Sequence, residues 1–313
     1  MLRGSAKLGT TDFMIDFRTS RPVRPRRSAL SVPAINRRAL EKARELDCDV
    51  VIFDLEDSVA LEKKAEARDN LRRFFAEGPL AGRECVIRIN ALTSAFAEDD
   101  MAVVLACVPD AVLLPKVNEP EDIQTACDLL NEAGAPDSLR LWAMVETPRA
   151  VLNAAAIAEY GRTPDTRFDG FVIGLNDLRK DTGVPALPGR TYLVAWMMQV
   201  ILAARAYGLD VLDSVCNDFK DLPAFEQECE QGRQMGFDGK MLIHPAQIRG
   251  ANRAFGISPE ALSEAQAVIA AFADPATAGV NVINVEGRMI ERLHLEQAER
   301  LMQKLRLIQG ETP

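Results

Sequence analysis

The sequence predicts a (β/α)8 barrel, the TIM-barrel architecture, followed by a C-terminal helical extension. Two observations predict it. Eight short apolar, β-prone runs recur along the chain, at 29–33, 49–55, 84–90, 111–117, 140–146, 170–176, 210–215 and 240–244. Helix-like stretches separate them, and several runs are apolar without alternation, as when both faces of a parallel strand are covered. Right-handed crossovers set each strand beside its predecessor, so eight such units close into a barrel. An open, doubly wound sheet is the alternative, but its usual glycine-rich first turn does not follow the first run.

Taken in order, residues 1–24 hold no sustained period and read as a flexible N-terminal arm. The barrel occupies 25–257. Its helices are expected over 37–46, 62–76, 97–106 (the weakest), 120–132, 149–160, 190–207, 221–235 and 246–254. Pro120, Pro148 and Pro245 lie near three helix starts, where a missing amide proton costs little. The rhythm then breaks. Residues 258–273 read as a helix capped by Ser258 with Pro259 at its first position, and 280–290 as an extended excursion turning at Glu286-Gly287. Residues 291–308 carry Leu293, Ala298, Leu301, Leu305 and Ile308 at helical spacing. This extension, 258–313, is surplus to a barrel and is expected to cover the mouth of its own barrel or of an adjacent subunit's.

Composition sets the surroundings. At 313 residues, 48% hydrophobic and 27% charged, the chain is that of an ordinary globular protein. Its net charge of −9 opposes nucleic acid and anionic lipid. Arg21, Arg24, Arg26 and Arg27 cluster, but Pro22 and Pro25 interleave them, so an extended arm is expected rather than a nucleic-acid patch. No apolar run reaches the roughly 18 residues of a membrane span, and no apolar leader is visible. Six cysteines without a C-x-x-C pair read as buried thiols. A cytoplasmic protein is expected.

Chemistry gathers where strands end. Glu56 and Asp57 follow VVIFD, Glu146 closes LWAMVE, and Asp177 closes GLND. Strand C-termini of an α/β barrel converge on one mouth, so acids there read as a cation site facing a substrate. Oxygen ligands without histidine suit Mg²⁺ or Mn²⁺ rather than zinc, with Glu146 and Asp177 as ligands and Glu56 and Asp57 holding metal-bound water. The bland alternative is that some of these acids are ion-pair partners or helix caps. Arg88 in VIRIN is placed to clamp a substrate carboxylate, or to pair with Glu56 or Asp57, or both. Lys116 in LLPK admits a Schiff-base reading, which the nearby acids oppose by keeping its pKa high. Lys240 begins its strand, at the opposite face. His244 ends strand eight, as a ligand contact or a structural histidine, and Gly174 would let a ligand approach the backbone. No Walker loop, Rossmann fingerprint or G-x-S-x-G is present, leaving kinase, dehydrogenase and hydrolase readings without support.

RSALSVP (27–33), DLEDSV (54–59), RIN (88–90), LPKV (114–117), VETP (145–148), GLND (174–177) and GFDGKMLIHPAQI (236–248) run in an order that resembles the citrate lyase beta subunit and malyl-CoA lyase family, within the HpcH/HpaI aldolase group. The resemblance implies a Mg²⁺-dependent carbon–carbon lyase on a coenzyme A thioester, assembled as a homotrimer or homohexamer. It also implies Glu146 and Asp177 as metal ligands, Arg88 and Asn176 as substrate contacts, and Lys42, with Arg37 or Arg38, beside the CoA moiety. A C-terminal acid/base is delivered to the adjacent subunit in that family. Here Glu291 stands where malyl-CoA lyases have an aspartate, with Glu286 as an understudy. Glu291 would take the hydroxyl proton of a β-hydroxyacyl-CoA, and Arg88 would stabilise the enolate. An aldolase on free keto acids, and a non-catalytic subunit needing a carrier partner, are the competing readings.

Overall fold

A computed structural model describes residues 23–310 apart from positions 79, 164, 165, 275, 276, 278 and 286. Eight parallel strands close in sequence order into a barrel. They are β1 (Ser28–Pro33), β2 (Val50–Asp54), β3 (Glu84–Arg88), β4 (Ala111–Leu114), β5 (Arg140–Val145), β6 (Phe168–Ile173), β7 (Asp210–Asp213) and β8 (Gly239–Leu242). The helices α1 (Arg37–Ala43), α2 (Lys64–Ala76), α3 (Ala97–Cys107), α4 (Pro120–Glu132) and α5 (Pro148–Tyr160) follow the first five strands. After β6 come two helices, α6 (Leu175–Thr182) and α7 (Val194–Ala206); α8 (Leu222–Met235) and α9 (Ile248–Ala254) complete the ring.

Strand alternation sorts the side chains into two cores. Ala29, Val50, Ile52, Val86, Leu113, Trp142, Met144, Val172, Leu212 and Met241 fill the barrel interior. Val51, Phe53, Ile87, Val112, Ala143 and Phe171 point outward and pack beneath the helices. Each fully buried large side chain contributes about 1.5–3 kcal/mol. Helix starts follow the local chemistry: Pro120 and Pro148 stand at first helical positions, Thr147 accepts from the Ala150 amide, and Asp221 from Ala224.

The short helix α6 was not legible in the apolar runs. Residues 174–177 read as a strand end, yet β6 stops at Ile173, and Asn176 and Asp177 lie in the first turn of α6. Gly183, at φ 72°, closes that helix in the left-handed region.

The basic cluster also lies elsewhere than on a loose arm. Arg26 is 5% exposed and pairs with Glu84, Asp169 and Asp210 at the floor of the barrel, its guanidinium 4.6 Å from the centre of the Trp142 ring. Arg27 pairs with Asp49 and Arg24 with Asp110. Arg21 and the rest of 1–22 lie outside the described residues. The six cysteines are free thiols, five of them buried.

Beyond the barrel, α10 (Pro259–Ala273) and α11 (Arg292–Ile308) flank a hairpin of β9 (Val282–Val285) and β10 (Arg288–Glu291). Their small core is Ala265, Val268, Ile290 and Ala298. Lys304 of α11 reaches Asp238, which precedes β8, at 3.6 Å, so this end of α11 lies toward the barrel floor. Glu286 lies outside the described residues. No helix among those described is long and apolar enough to cross a membrane.

Candidate active site

Period-two alternation brings the polar groups to the mouth. Val50 and Ile52 face inward, so Asp54 does; Val86 sets Arg88 inward, and Trp142 and Met144 set Glu146 inward. Asp54 lies directly across from Arg88 in the β2–β3 register. These groups line a cavity of about 370 Å³ together with Ser31, Asp57, Gly174, Asn176, Asp177, Ser214 and Asn217. Larger hollows near α10 and α11 carry no such convergence of acids on one strand-end mouth.

Glu146 is 1% exposed. Its Oε1 accepts from the Lys116 amide at 2.8 Å, while Oε2 is buried without a hydrogen-bond partner. Burial raises its pKa, the charge of Asp177 adds to the rise, and Lys116 opposes it. The Lys116 ammonium lies 2.8 Å from Asp177 and 3.4 Å from Glu146. Burial pulls the Lys116 pKa down, but the hydrogen bond to Asp177 and the charge of Glu146 carry it above its ordinary value. A protonated, ion-paired amine is the wrong state for imine formation, so the Schiff-base reading is dropped. Lys116 also holds φ 55°, a left-handed backbone that a non-glycine residue adopts at a cost, and this turn aims its amide at Glu146.

The cation between Glu146 and Asp177 is therefore a lysine's own. Among the described residues no three His, Cys, Asp or Glu side chains come together as a metal cage. A pair of carboxylates with one orphaned oxygen is nonetheless the donor set of Mg²⁺, which takes one or two carboxylates and fills its other positions with water and substrate oxygen. Lys116 is one-third exposed and can swing aside. The residues present fit such an ion.

Gly174 has a task that the sequence did not indicate. A Cβ there would come within 2.5 Å of Glu146 Cβ and 2.8 Å of its Oε2. Its missing side chain makes room for Glu146, and its backbone lines the cavity.

Arg88 is held hard. Its Nε and Nη2 each donate to Asp54 at 2.7 Å, and Nη1 lies 3.0 Å from Glu56 and 3.6 Å from Asp57. Asp54 in turn accepts from the amides of Glu56 and Ser58. Burial works to raise the Asp54 pKa, and Arg88 overrides it to leave the carboxyl below its usual range. Sequence reasoning missed Asp54. The signal was its period-two alignment with Val50 and Ile52. Glu56 is buried, and burial together with the charge of Glu146 pushes its pKa to about 8 against the pull of Arg88.

Of the other expected residues Asn176 lines the cavity, while His244, Lys42 and Glu291 do not. Asn176 exchanges hydrogen bonds with Asn217, at 3.1 and 2.8 Å, on the rim. His244 caps the turn at Pro245–Gln247, accepting from the Ala246 amide, and stacks on Phe219 with ring centres 4.6 Å apart. Lys42 is exposed in the last turn of α1. Glu291 is exposed and caps α11, where His294 Nδ1 accepts from its amide. No described residue of 258–310 lines the cavity of its own chain. Lys240, set aside in the sequence, is fully buried against Asp213 and Glu228 outside the barrel wall.

Known proteins resemble this chain along most of its length. Residues 27–245 match the family model described as HpcH/HpaI aldolase/citrate lyase. A (3S)-malyl-CoA thioesterase of Cereibacter sphaeroides is 41% identical over 91% of this chain and 96% of its own. The mitochondrial citramalyl-CoA lyase of Homo sapiens is 32% identical over 88% of this chain and 84% of its own. Among solved structures, CitE from Mycobacterium tuberculosis in complex with magnesium, acetoacetate and coenzyme A superimposes with a TM-score of 0.68 at 30% identity, covering 88% of this chain and 97% of that one.

Proposed function

Because the chain belongs to the HpcH/HpaI aldolase/citrate lyase family, we propose that it is a Mg²⁺-dependent carbon–carbon lyase acting on a β-hydroxyacyl-CoA thioester such as malyl-CoA, citramalyl-CoA or citryl-CoA. The observation that carries the reading is the buried Glu146 carboxylate at the mouth of the barrel, whose Oε1 faces the same ammonium as Asp177 and whose Oε2 is orphaned.

Glu146 and Asp177 would hold the ion, Mg²⁺ or Mn²⁺, which when bound supplies several kcal/mol of stabilisation to charge developing on a substrate oxygen. Glu56 and Asp57 stand beside Arg88 to accept from its waters. Arg88, immobilised by Asp54, presents Nη1 to the thioester oxygen as negative charge grows there; a fixed donor of this kind is worth about 10²–10³-fold. Its loosest contact, to exposed Asp57 at 3.6 Å, is the one a substrate carboxylate displaces. Asn176 and His244 would contact the substrate, and Lys42 the CoA portion. Glu291, which does not line its own chain's cavity, takes the hydroxyl proton in an adjacent subunit of a homotrimer or homohexamer. The electron pair of the breaking carbon–carbon bond passes to the thioester α-carbon as the keto acid leaves, and the proton held by Glu291 is returned to that carbon. The same reading makes the protein cytoplasmic.

Hydrolysis of the thioester is the second reading, favoured by the 41% identity to a (3S)-malyl-CoA thioesterase. One experiment separates them. Purified protein is incubated with malyl-CoA, citramalyl-CoA and citryl-CoA, with Mg²⁺ or EDTA. A lyase releases a keto acid and leaves the acyl-CoA thioester intact; a thioesterase releases free CoA thiol and no keto acid. Metal-independent turnover, or none with any of the three, would refute the reading. Cleavage of a free hydroxy keto acid without CoA would establish the aldolase alternative.

A further inference from the structure

Lys64 begins α2, where the positive end of the helix dipole disfavours a cation, and it is only 4% exposed. Two penalties on one ammonium require specific partners. They are the carbonyls of Leu55 at 2.7 Å and Glu56 at 2.8 Å, and Asn90 Oδ1 at 2.8 Å. All three ammonium protons are used.

The partners are themselves fixed. Asn90 donates from Nδ2 to the Leu55 carbonyl at 3.1 Å and to Asp100 at 2.6 Å, and its amide also donates to Asp100. Asp100, fully buried, is held by Arg68 Nε at 2.7 Å. A chain of charge-assisted bonds thus runs from α2 and α3 to the backbone of residues 55 and 56. That turn carries Asp54, whose carboxylate accepts the Glu56 and Ser58 amides and grips Arg88 through two parallel bonds. Lys64 touches neither the cavity lining nor Arg88.

We infer that Lys64, with Asn90, is a positioning residue: it clamps the turn after β2 so that Asp54 holds the Arg88 guanidinium in its working orientation. The inference rests on the proposed function for what Arg88 does, but not for the clamp itself. The RIN segment thereby has two tasks, with Arg88 facing substrate and Asn90 fixing the turn that restrains Arg88.

Lys64→Met removes the three donors and keeps an apolar stem of similar length. Two readouts on the purified full chain decide. Amide hydrogen exchange should show about tenfold or greater loss of protection at Glu56 and Ser58, with the β5 and β6 amides unchanged. Turnover at saturating malyl-CoA should fall about 10²-fold per Mg²⁺-binding site counted by calorimetry, because a displacement near 1 Å costs that much. Mg²⁺ should still bind, since Glu146 and Asp177 follow other strands, with its affinity lowered by no more than the about 10–100-fold typical of water-mediated partners such as Glu56 and Asp57. A merely structural role would lower thermal stability and the number of binding sites but not the rate per site. Unchanged protection at 56 and 58 overturns the clamp, and lost protection with an unchanged rate per site overturns its link to Arg88. If wild type turns over none of the thioesters, the functional reading fails while the exchange readout still decides the clamp. Should Lys64→Met fail to fold, Asn90→Ala, which removes one acceptor of Lys64 and a donor to Leu55, is read by the same measurements.

Discussion

Glu146→Gln is expected to make the protein more stable without Mg²⁺ and less stable with it. The carboxylate is 1% exposed, and its Oε2 has no partner. Burial, reinforced by Asp177, raises its pKa above the ordinary value despite Lys116. A carboxyl whose pKa is higher in the folded than in the unfolded state opposes folding wherever it is ionised, so near neutral pH Glu146 destabilises the metal-free fold. Glutamine keeps the length and an oxygen for the Lys116 amide, and it removes the charge. An unsatisfied buried polar group costs about 1–3 kcal/mol and an ionised one more, and glutamine, whose Nε2 takes the place of Oε2, removes only that excess. Relieving about 1 kcal/mol of that raises Tm by about 1.5 °C in a chain of 313 residues. In wild type, Mg²⁺ at a hundredfold excess over its Kd adds about 2.7 kcal/mol, which outweighs the relief. The variant forfeits that gain. Differential scanning calorimetry at fixed protein concentration, with EDTA and with saturating MgCl₂, should therefore show the two stability orders reversed. A variant that melts below wild type in EDTA, or that Mg²⁺ stabilises as much as it does wild type, would refute the assignment of Glu146 as a buried ligand.

Asp177→Asn should abolish Mg²⁺-dependent turnover and leave the fold intact, because its ion pair with Lys116 is partly exposed and worth about 1 kcal/mol or less; circular dichroism and the thioester assay check both halves. Glu291→Gln should lower turnover by about 10²–10⁴-fold if it serves as the base. Mixing it with inactive Asp177→Asn chains should restore part of the activity if the site is shared between subunits, and full activity in Glu291→Gln alone would remove it from the mechanism. On the acid side, burial tends to raise the Asp213 pKa, but Lys240 and Arg190 hold it below its usual value. Its stabilisation is then complete above the unfolded pKa of about 3.9 and is lost as pH falls through the lower folded value. Urea midpoints measured downward through that range should fall, and Asp213→Asn, which removes the nearer of the two acids paired with fully buried Lys240 and the ion-pair partner of Arg190, should cost about 3–5 kcal/mol at neutral pH.

The sequence by itself determined the barrel, the order of its strands, and the acids and arginine at their ends. Both periods are local: alternation in a strand and 3.6-residue spacing in a helix are written in neighbouring residues, and parallel pairing follows from the crossovers. Glu146, Asp177 and Arg88 were legible because each stands at or just beyond the end of an apolar run. What only the tertiary structure decided are relations between residues far apart in the chain. Asp54 became the partner of Arg88 through the β2–β3 register, and Gly174 proved to yield space to a carboxylate from the neighbouring strand. Lys116 took the place of a cation through a left-handed backbone turn that no periodicity encodes. Lys64 drew no notice in the sequence, and Arg26 read as one member of a loose basic arm, until closure of the barrel buried each among acceptors supplied by other segments. A buried charge is specified by the partners that surround it, and those partners come together only when the chain has folded.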